Sequence, residues 1–171
     1  MALPEPREAW EPTTVALNVA MALVQASKKV IYVELSPQLS AASWLLHMPQ
    51  TPALRDSSVR LDEINRDYVT KLLMQHSTGL EVLCLSPWTR EVGSPVSTEL
   101  FAALLRELKG LADHVVLDFP LEPSFSSMLF LSHCQILDLV METDSLCLDL
   151  AKKQVEFIQS QCTTTHIAHP G

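Results

Sequence analysis

Positively charged residues are scarce in this 171-residue chain, which carries 12 Lys and Arg against 20 Asp and Glu and a formal net charge of −8. Such an acidic surface repels nucleic-acid phosphates and anionic lipid, so we expect no nucleic-acid partner and no electrostatic docking to a membrane. A bilayer-spanning run is also missing, because the longest apolar stretch, residues 15–24, is short and is interrupted by Asn18. These absences favour a cytoplasmic protein, without direct membrane insertion, that binds a protein or a small ligand.

Paired-cysteine motifs are missing as well. The four cysteines are widely spaced along the chain: Cys84, Cys134, Cys147 and Cys162. They form no CxxC pair and follow no signal peptide, so we expect free thiols in a reducing compartment. His166 and His169 have helical spacing, but they lie in a Thr-rich tail, which favours a tail or a purification remnant over a metal site.

Apolar residues make up 47% of the sequence, which is enough to build the core of one domain. Short runs of Val, Ile and Leu alternate with segments of helical periodicity. The predicted strands cover residues 30–35, 80–85, 114–119 and 136–141. The predicted helices begin near residues 13, 41, 62, 97 and 144, with another through residues 128–131. This alternation predicts a three-layer α/β fold, with a mostly parallel sheet and helices on both faces.

The central stretch of the sequence is residues 112–120, an apolar run that ends on Asp118 and is followed by Pro120. Its Val and Leu residues without polar alternation are typical of a strand buried on both faces. Because ligands bind at the carboxyl ends of parallel strands, Asp118 is placed for chemistry. The alternative is that Asp118 only caps the turn that follows.

Five segments, in their order along the chain, carry a resemblance to a known family. They are "TTVALNVA" (residues 13–20), "VIYVELSPQ" (30–38), "HSTGLEVLCLSP" (76–87), "ADHVVLDFP" (112–120) and "ETDSL" (142–146). Together they resemble the MinD/ParA class of P-loop ATPases, and most closely the pilus-assembly branch called CpaE or TadZ. The resemblance spans roughly residues 13–160 and implies a truncated P-loop NTPase-like fold of the MinD/ParA type.

The segment that matches the family's phosphate-binding loop departs most from it. Residues 7–14, "REAWEPTT", stand where the family has a loop of the form KGGxGKTT. Glycines let backbone N–H groups wrap the phosphates, and all of them are missing here. Pro12 replaces the lysine, so a cation and an N–H are lost together. The resemblance therefore implies a degenerate Walker A motif.

Four residues are the site candidates that the resemblance implies. Thr13 and Thr14 are the vestigial cofactor-binding residues, and Thr14 with Asp118 would hold Mg²⁺ if a nucleotide binds. Glu34 replaces a family aspartate, and Asp118 and Glu34 would be the catalytic carboxylates of an ATPase. Because Mg²⁺ in such sites is bound largely through nucleotide phosphates, we expect neither a cofactor nor catalysis.

The strand that precedes the family's phosphate loop has no counterpart, since the residues before Pro12 contain no apolar run. We expect its place in the sheet to be closed up, filled by the tail around residues 164–168, or supplied by a partner subunit. The predicted organisation is an extended leader at residues 1–12, a MinD/ParA-like domain at residues 13–162 and a tail at residues 163–171.

The expected function is that of a non-hydrolysing adaptor or localisation factor in pilus assembly or secretion. The resemblance implies protein partners in that apparatus, a cytoplasmic location peripheral to a membrane-bound machine, and a homodimer with Trp10 and Trp88 as candidate anchors. The alternative is an ATP-binding ATPase of the MinD/ParA class that uses ATP and Mg²⁺ through a divergent phosphate loop.

Overall fold

The computed structural model describes residues 7–35, 40–49, 60–85, 98–119, 131–141, 145–161 and 166–167. The chain divides into two compact units, Met1–Pro120 and Leu121–Gly171. The elements of the first unit, in chain order, are α1 (Arg7–Gln25), β1 (Val30–Leu35), α2 (Ala41–Leu45), a 3₁₀ turn (Leu61–Glu63), α3 (Arg66–Leu72), β2 (Met74–Gln75), β3 (Glu81–Leu85), α4 (Thr98–Leu111) and β4 (His114–Asp118). Those of the second unit are β5 (Ile136–Leu137), α5 (Ser145–Gln161) and β6 (His166–Ile167).

The first unit is built on a four-stranded sheet of order β2-β3-β1-β4. β1 lies between β3 and β4 and is parallel to both, whereas β2 is antiparallel to β3. All six residues of β1 are buried, as expected for a strand with helices over both faces. The predicted three-layer, mostly parallel α/β fold is confirmed.

One face of this sheet packs against α1 and α2. Leu17 and Ala20 of α1 and Ala42 of α2 form a buried cluster with alternate residues of the central strands: Val30, Tyr32, Leu80, Val82 and Cys84. The other residues of β1, Ile31, Val33 and Leu35, are buried on the opposite face because strand side chains alternate between faces. α4 contacts β4 and buries Phe101, Leu104, Leu105 and Leu108.

Helix α1 begins at Arg7, so the extended conformation predicted for the leader is wrong for residues 7–12. The prediction rested on Pro4, Pro6 and Pro12, which lack a backbone N–H. Pro12 is the sixth residue of α1, and the first four N–H groups of any helix have no partner within it. Because Pro12 lies just beyond these four residues, it removes one intrahelical hydrogen bond, and α1 continues through it. Residues 1–6 lie outside the described part of the chain.

Two predicted elements differ from the structure. The helix predicted to begin near residue 62 begins later and covers Arg66–Leu72. The Asn65 side chain accepts a hydrogen bond from the Tyr68 N–H at 3.0 Å at its start. Residues 74–75 instead form β2, because they pair with β3. The strand predicted at residues 136–141 is formed only at Ile136–Leu137, and it pairs with β6, not with the four-stranded sheet. A short apolar run does not specify its partner.

The β5–β6 pairing bears on one of the three expected ways of filling the place of the missing strand, namely filling by the tail. His166–Ile167 lies in the predicted tail and is hydrogen-bonded to β5. This part of the tail therefore does not fill a place in the four-stranded sheet. The domain boundaries predicted at residues 12/13 and 162/163 stay predictions.

Cys84, Cys134 and Cys147 take part in no disulfide, as predicted, and Cys162 lies outside the described residues. No helix in the described part of the chain is both long enough and apolar enough to cross a membrane.

Candidate functional site

Two carboxylates lie side by side where β1 and β4 end. The register pairs Glu34 of β1 with Asp118 of β4, and it pairs Glu34 with Cys84 of β3 on the other side. Paired residues of neighbouring strands point to the same face of a sheet, so these three side chains share one face. Glu34 is 3% and Asp118 is 8% exposed, so both carboxylates are buried. The sequence placed Asp118 correctly at the carboxyl end of a sheet strand.

Asp118 is held by two hydroxyl groups of its own chain. Its Oδ2 atom accepts a hydrogen bond from Tyr32 OH at 2.6 Å and another from Thr13 Oγ1 at 2.7 Å. Tyr32 is fully buried. Burial, and then the charge of Asp118, raise the pKa of Tyr32 far above its usual range, so its hydroxyl remains a donor. The contact ties β1 and α1 to β4.

Thr13, not Thr14, is the threonine that reaches Asp118. Thr13 is buried on the sheet side of α1, whereas Thr14 is exposed and its backbone carbonyl accepts a hydrogen bond from Asn18 Nδ2 at 2.8 Å. Consecutive residues of a helix point about 100° apart, so two neighbouring threonines cannot both face the sheet. The roles predicted for Thr13 and Thr14 towards a nucleotide and for Thr14 and Asp118 towards Mg²⁺ remain predictions.

Glu34 is bound by the start of α2. Its Oε1 atom accepts hydrogen bonds from the backbone N–H groups of Ala41 at 2.9 Å and Ala42 at 3.3 Å, and its Oε2 atom accepts one from Ser40 Oγ. Ser40 also caps α2 by accepting a hydrogen bond from the Ser43 N–H at 2.9 Å. Burial raises the pKa of Glu34, and the donors at the start of α2 oppose that rise.

Cys84 completes the buried polar group. Its Sγ atom lies 3.1 Å from Ser40 Oγ and 3.2 Å from Ser43 Oγ, and the residue is 5% exposed. Burial raises the pKa of the Cys84 thiol, which favours the neutral and unreactive form. This environment is that of a small buried residue and not that of a nucleophile.

Sequence reasoning missed three hydroxyl groups of the site, those of Tyr32, Ser40 and Ser43. The signal for Tyr32 was present, because it lies two residues before Glu34 and so shares its face of the strand. Ser40 stands directly before the predicted second helix, which is the position of an N-cap. Neither pattern reveals that the acceptor is a buried carboxylate.

These residues do not fit a Mg²⁺-nucleotide. Residues 7–14, which match the phosphate loop of the resemblance, form the first turns of α1 and contain no glycine, so their N–H groups point along the helix axis and do not form a loop that wraps a phosphate. Asp118 Oδ2 has two intramolecular donors, and both oxygens of Glu34 are bound at the start of α2. Among the described residues, no group of three His, Cys, Asp or Glu side chains could hold a metal ion.

Comparisons with solved structures identify the fold. The chain is similar to a ParA family ATPase from Chlorobium tepidum TLS, with a TM-score of 0.73 and 18% identity over 90% of this chain and 65% of that one. It is also similar to a chain of the MinC:MinD cell division protein complex of Aquifex aeolicus, with a TM-score of 0.69 and 18% identity over 91% of this chain and 60% of that one. The fold is that of the MinD/ParA ATPases.

A third structure with the MinD/ParA fold is the septum site-determining protein MinD of Pyrococcus horikoshii OT3, complexed with Mg-ADP. Its TM-score is 0.61, with 17% identity over 91% of this chain and 62% of that one. The chain thus spans less than two thirds of each of these three structures. No known family profile matches the sequence, and no curated protein matches it.

Proposed function

We propose that this chain is a non-hydrolysing binding module of the MinD/ParA fold that acts as an adaptor or localisation factor in pilus assembly or secretion. The observation that carries the first part is the conformation of residues 7–14. A phosphate loop needs free backbone N–H groups directed at one point, and these residues form a helix that contains Pro12.

The buried carboxylates support the same proposal. General base catalysis or Mg²⁺ binding needs oxygen atoms that are directed at a substrate. Asp118 is engaged by Thr13 and Tyr32, and Glu34 is engaged by the start of α2. Each carboxylate thus has a role in joining elements of the fold, and a fold without a working phosphate site keeps its surfaces for binding.

Calorimetric titration of the full chain with Mg-ATP tests the nucleotide part. We expect no binding in the low micromolar range, where the free energy of binding is about −8 kcal/mol. Tight binding would contradict the proposal. It would support the second candidate, an ATPase with a divergent phosphate loop.

One observation favours that second candidate. A threonine hydroxyl and a carboxylate, Thr13 and Asp118, meet at the carboxyl end of a strand, and oxygen atoms of this kind suit Mg²⁺. The variant Asp118→Asn separates the two candidates. In a functional ATPase it would weaken Mg-ATP binding and hydrolysis, whereas under our proposal neither is present to be lost.

The pilus or secretion role rests on the resemblance of the sequence to the CpaE/TadZ branch. Deleting the gene in the source organism should change the number or the cellular position of its pili or secretion complexes. Restoring the gene should restore the original number and position of these complexes. Unchanged assembly and position after deletion would refute this role.

A further inference from the structure

β4 ends the four-stranded sheet on one side. It is hydrogen-bonded to β1, and in the described part of the chain no strand pairs with its other edge. The His114 N–H donates to the Lys29 carbonyl at 3.2 Å, so His114 directs its backbone groups at β1. Alternate residues of a parallel strand bond to the same neighbour. Val115 and Leu117 therefore direct their N–H and C=O groups away from β1.

Three features that often prevent pairing, a lysine, a proline and a bulge, are missing from residues 115–117 of this edge. Residues 115–117 are Val-Val-Leu, all half-buried, and the register of β4 with β1 continues without a bulge. Edge strands of isolated proteins are usually protected by lysine, proline or a bulge. Residues 115–117 have the composition of an inner strand, and no described strand pairs with their outward hydrogen-bonding groups.

The flank of α1 on the β4 side adds apolar surface. α1 contacts both β1 and β4. Its Met21 points towards β3 and away from β4, because the Thr78 hydroxyl, in the turn before β3, lies 3.4 Å from the Met21 sulfur. Val19 lies about 160° around the helix from Met21, so it faces the β4 side. Val19 is 40% exposed.

The charge distribution indicates which partner this surface fits. Residues 12–27 contain no charged side chain, although the whole chain carries a net charge of −8. A basic partner would be drawn to the acidic remainder of the surface. Two copies of an acidic chain repel each other least where both are uncharged, so the uncharged α1 flank beside the β4 edge suits a second copy of this chain.

We propose that β4 pairs antiparallel with β4 of a second copy, so that two four-stranded sheets join across a two-fold axis at Val116. In this register Val115 of each copy lies opposite Leu117 of the other, and these residues exchange hydrogen bonds through their free backbone groups. His114 of one copy lies opposite Asp118 of the other, so no like charges meet. The inference does not depend on the proposed function.

The test is the mass of the full chain in solution, measured by sedimentation equilibrium at micromolar concentration. We expect twice the monomer mass of 19.0 kDa. Val115→Pro removes an N–H that points away from β1 and leaves the β1 ladder intact. Because two of the four new hydrogen bonds are lost, we expect the dissociation constant to rise about tenfold to a hundredfold. The control Val115→Thr keeps the N–H and the β-branched shape and should leave the dimer unchanged.

A second pair of variants tests the same interface without changing β4, in case Val115→Pro disturbs the folding of that strand. Val19→Lys places a cation on the exposed flank of α1 and should also weaken the dimer, because it would lie within the joined surface. Its control is Leu61→Lys on the 3₁₀ turn, another exposed apolar position, at 53% exposure. A monomer at high micromolar concentration, or a dimer that neither Val115→Pro nor Val19→Lys weakens, would overturn the proposal.

Discussion

At the scale of single residues, the chain uses its buried carboxylates to fasten helices to the sheet. Asp118 receives hydrogen bonds from α1 and β1, and Glu34 receives them from the residues that start α2. Buried ionisable groups are stable only when their hydrogen-bonding capacity is met. The two carboxylates thus account for the positions of α1 and α2 relative to the ends of β1 and β4.

We expect Thr13→Val and Tyr32→Phe each to lower the free energy of unfolding by about 1 to 3 kcal/mol, because each removes a donor from a buried carboxylate. Both donors bind the same oxygen, Asp118 Oδ2, so their effects should not add. Urea unfolding of the two single variants and the double variant measures this coupling. Strictly additive changes would contradict the shared-acceptor arrangement.

Glu34 predicts a pH dependence of stability. Burial raises the pKa of Glu34 above its ordinary value of 4.5, so the folded state holds this proton more tightly than the unfolded state does. The stabilisation due to protonated Glu34 is complete below 4.5 and is lost as the pH rises through the folded-state pKa. The variant Glu34→Gln lacks this proton. The stability of the wild type relative to Glu34→Gln should therefore fall as the pH rises from 4.5, and then level off.

The measurement is urea unfolding of both proteins at several pH values, and only their difference is interpreted, since other groups titrate in both. The total change in this difference measures the size of the pKa shift, at about 1.4 kcal/mol for each pKa unit. A difference that rises with pH, or that does not change, would contradict the raised pKa.

At the scale of helices and strands, two helices end in the same way. After α1, the Lys28 N–H donates to the Leu23 carbonyl at 3.1 Å and the Ser27 N–H donates to the Val24 carbonyl at 2.9 Å. After α2, Met48 and His47 make the equivalent bonds to Ser43 and Trp44. Both ends are Schellman motifs, whose left-handed position usually holds glycine. Here it holds Ser27, with φ 60°, and His47, with φ 52°.

Replacing Ser27 with glycine should raise the free energy of unfolding by about 0.5 to 1 kcal/mol, because glycine adopts positive φ without steric strain. Ser27 is exposed, so no buried contact is lost. Thermal unfolding of Ser27→Gly beside Ser27→Ala provides the comparison. Alanine retains the strained Cβ and should bring no gain, and equal stability of the two variants would contradict the explanation.

Sequence patterns predicted best the elements whose signal is local. The predicted bounds of β1 match the observed strand, and α4 begins within one residue of its predicted start, because β-branched and amphipathic patterns do not depend on partners. β2 and β6 were missed because each is a two-residue strand that exists only through pairing. At the site, Asp118 was placed by its position after a buried strand, whereas the choice of Thr13 over Thr14 depends on the rotation of α1, which a short motif does not encode.

At the scale of the whole molecule, the two compact units differ in how they are built. The first unit surrounds a sheet whose central strand is buried along its full length. In the second unit, the described strands β5 and β6 contain two residues each. Its helix α5 exposes Leu148, Leu150 and Phe157 by 45%, 50% and 50%. Because α5 leaves these apolar side chains exposed, it should open locally at a lower free energy than the buried strand β1.

Native-state hydrogen exchange should therefore show two levels of protection. We expect the amides of α5 to exchange through openings of lower free energy than those of β1, which need unfolding of the first unit. As urea is added, the opening free energies of the two groups of amides should become equal only near the concentration at which the whole protein unfolds. Equal protection of α5 and β1 in the absence of urea would show that the whole chain unfolds as one unit.

The position of β1 in the middle of its sheet has a consequence for synthesis of the chain. β1 emerges from the ribosome early, but its neighbour β4 follows about 84 residues later, the separation between Lys29 and Asp113. At a synthesis rate of roughly 5 to 20 residues per second, the fully apolar face of this strand stays uncovered for on the order of 5 to 15 s before both edges of the strand can be paired. During that interval the nascent chain exposes an aggregation-prone segment, so its yield in cells should depend on chaperones that bind apolar segments at the ribosome.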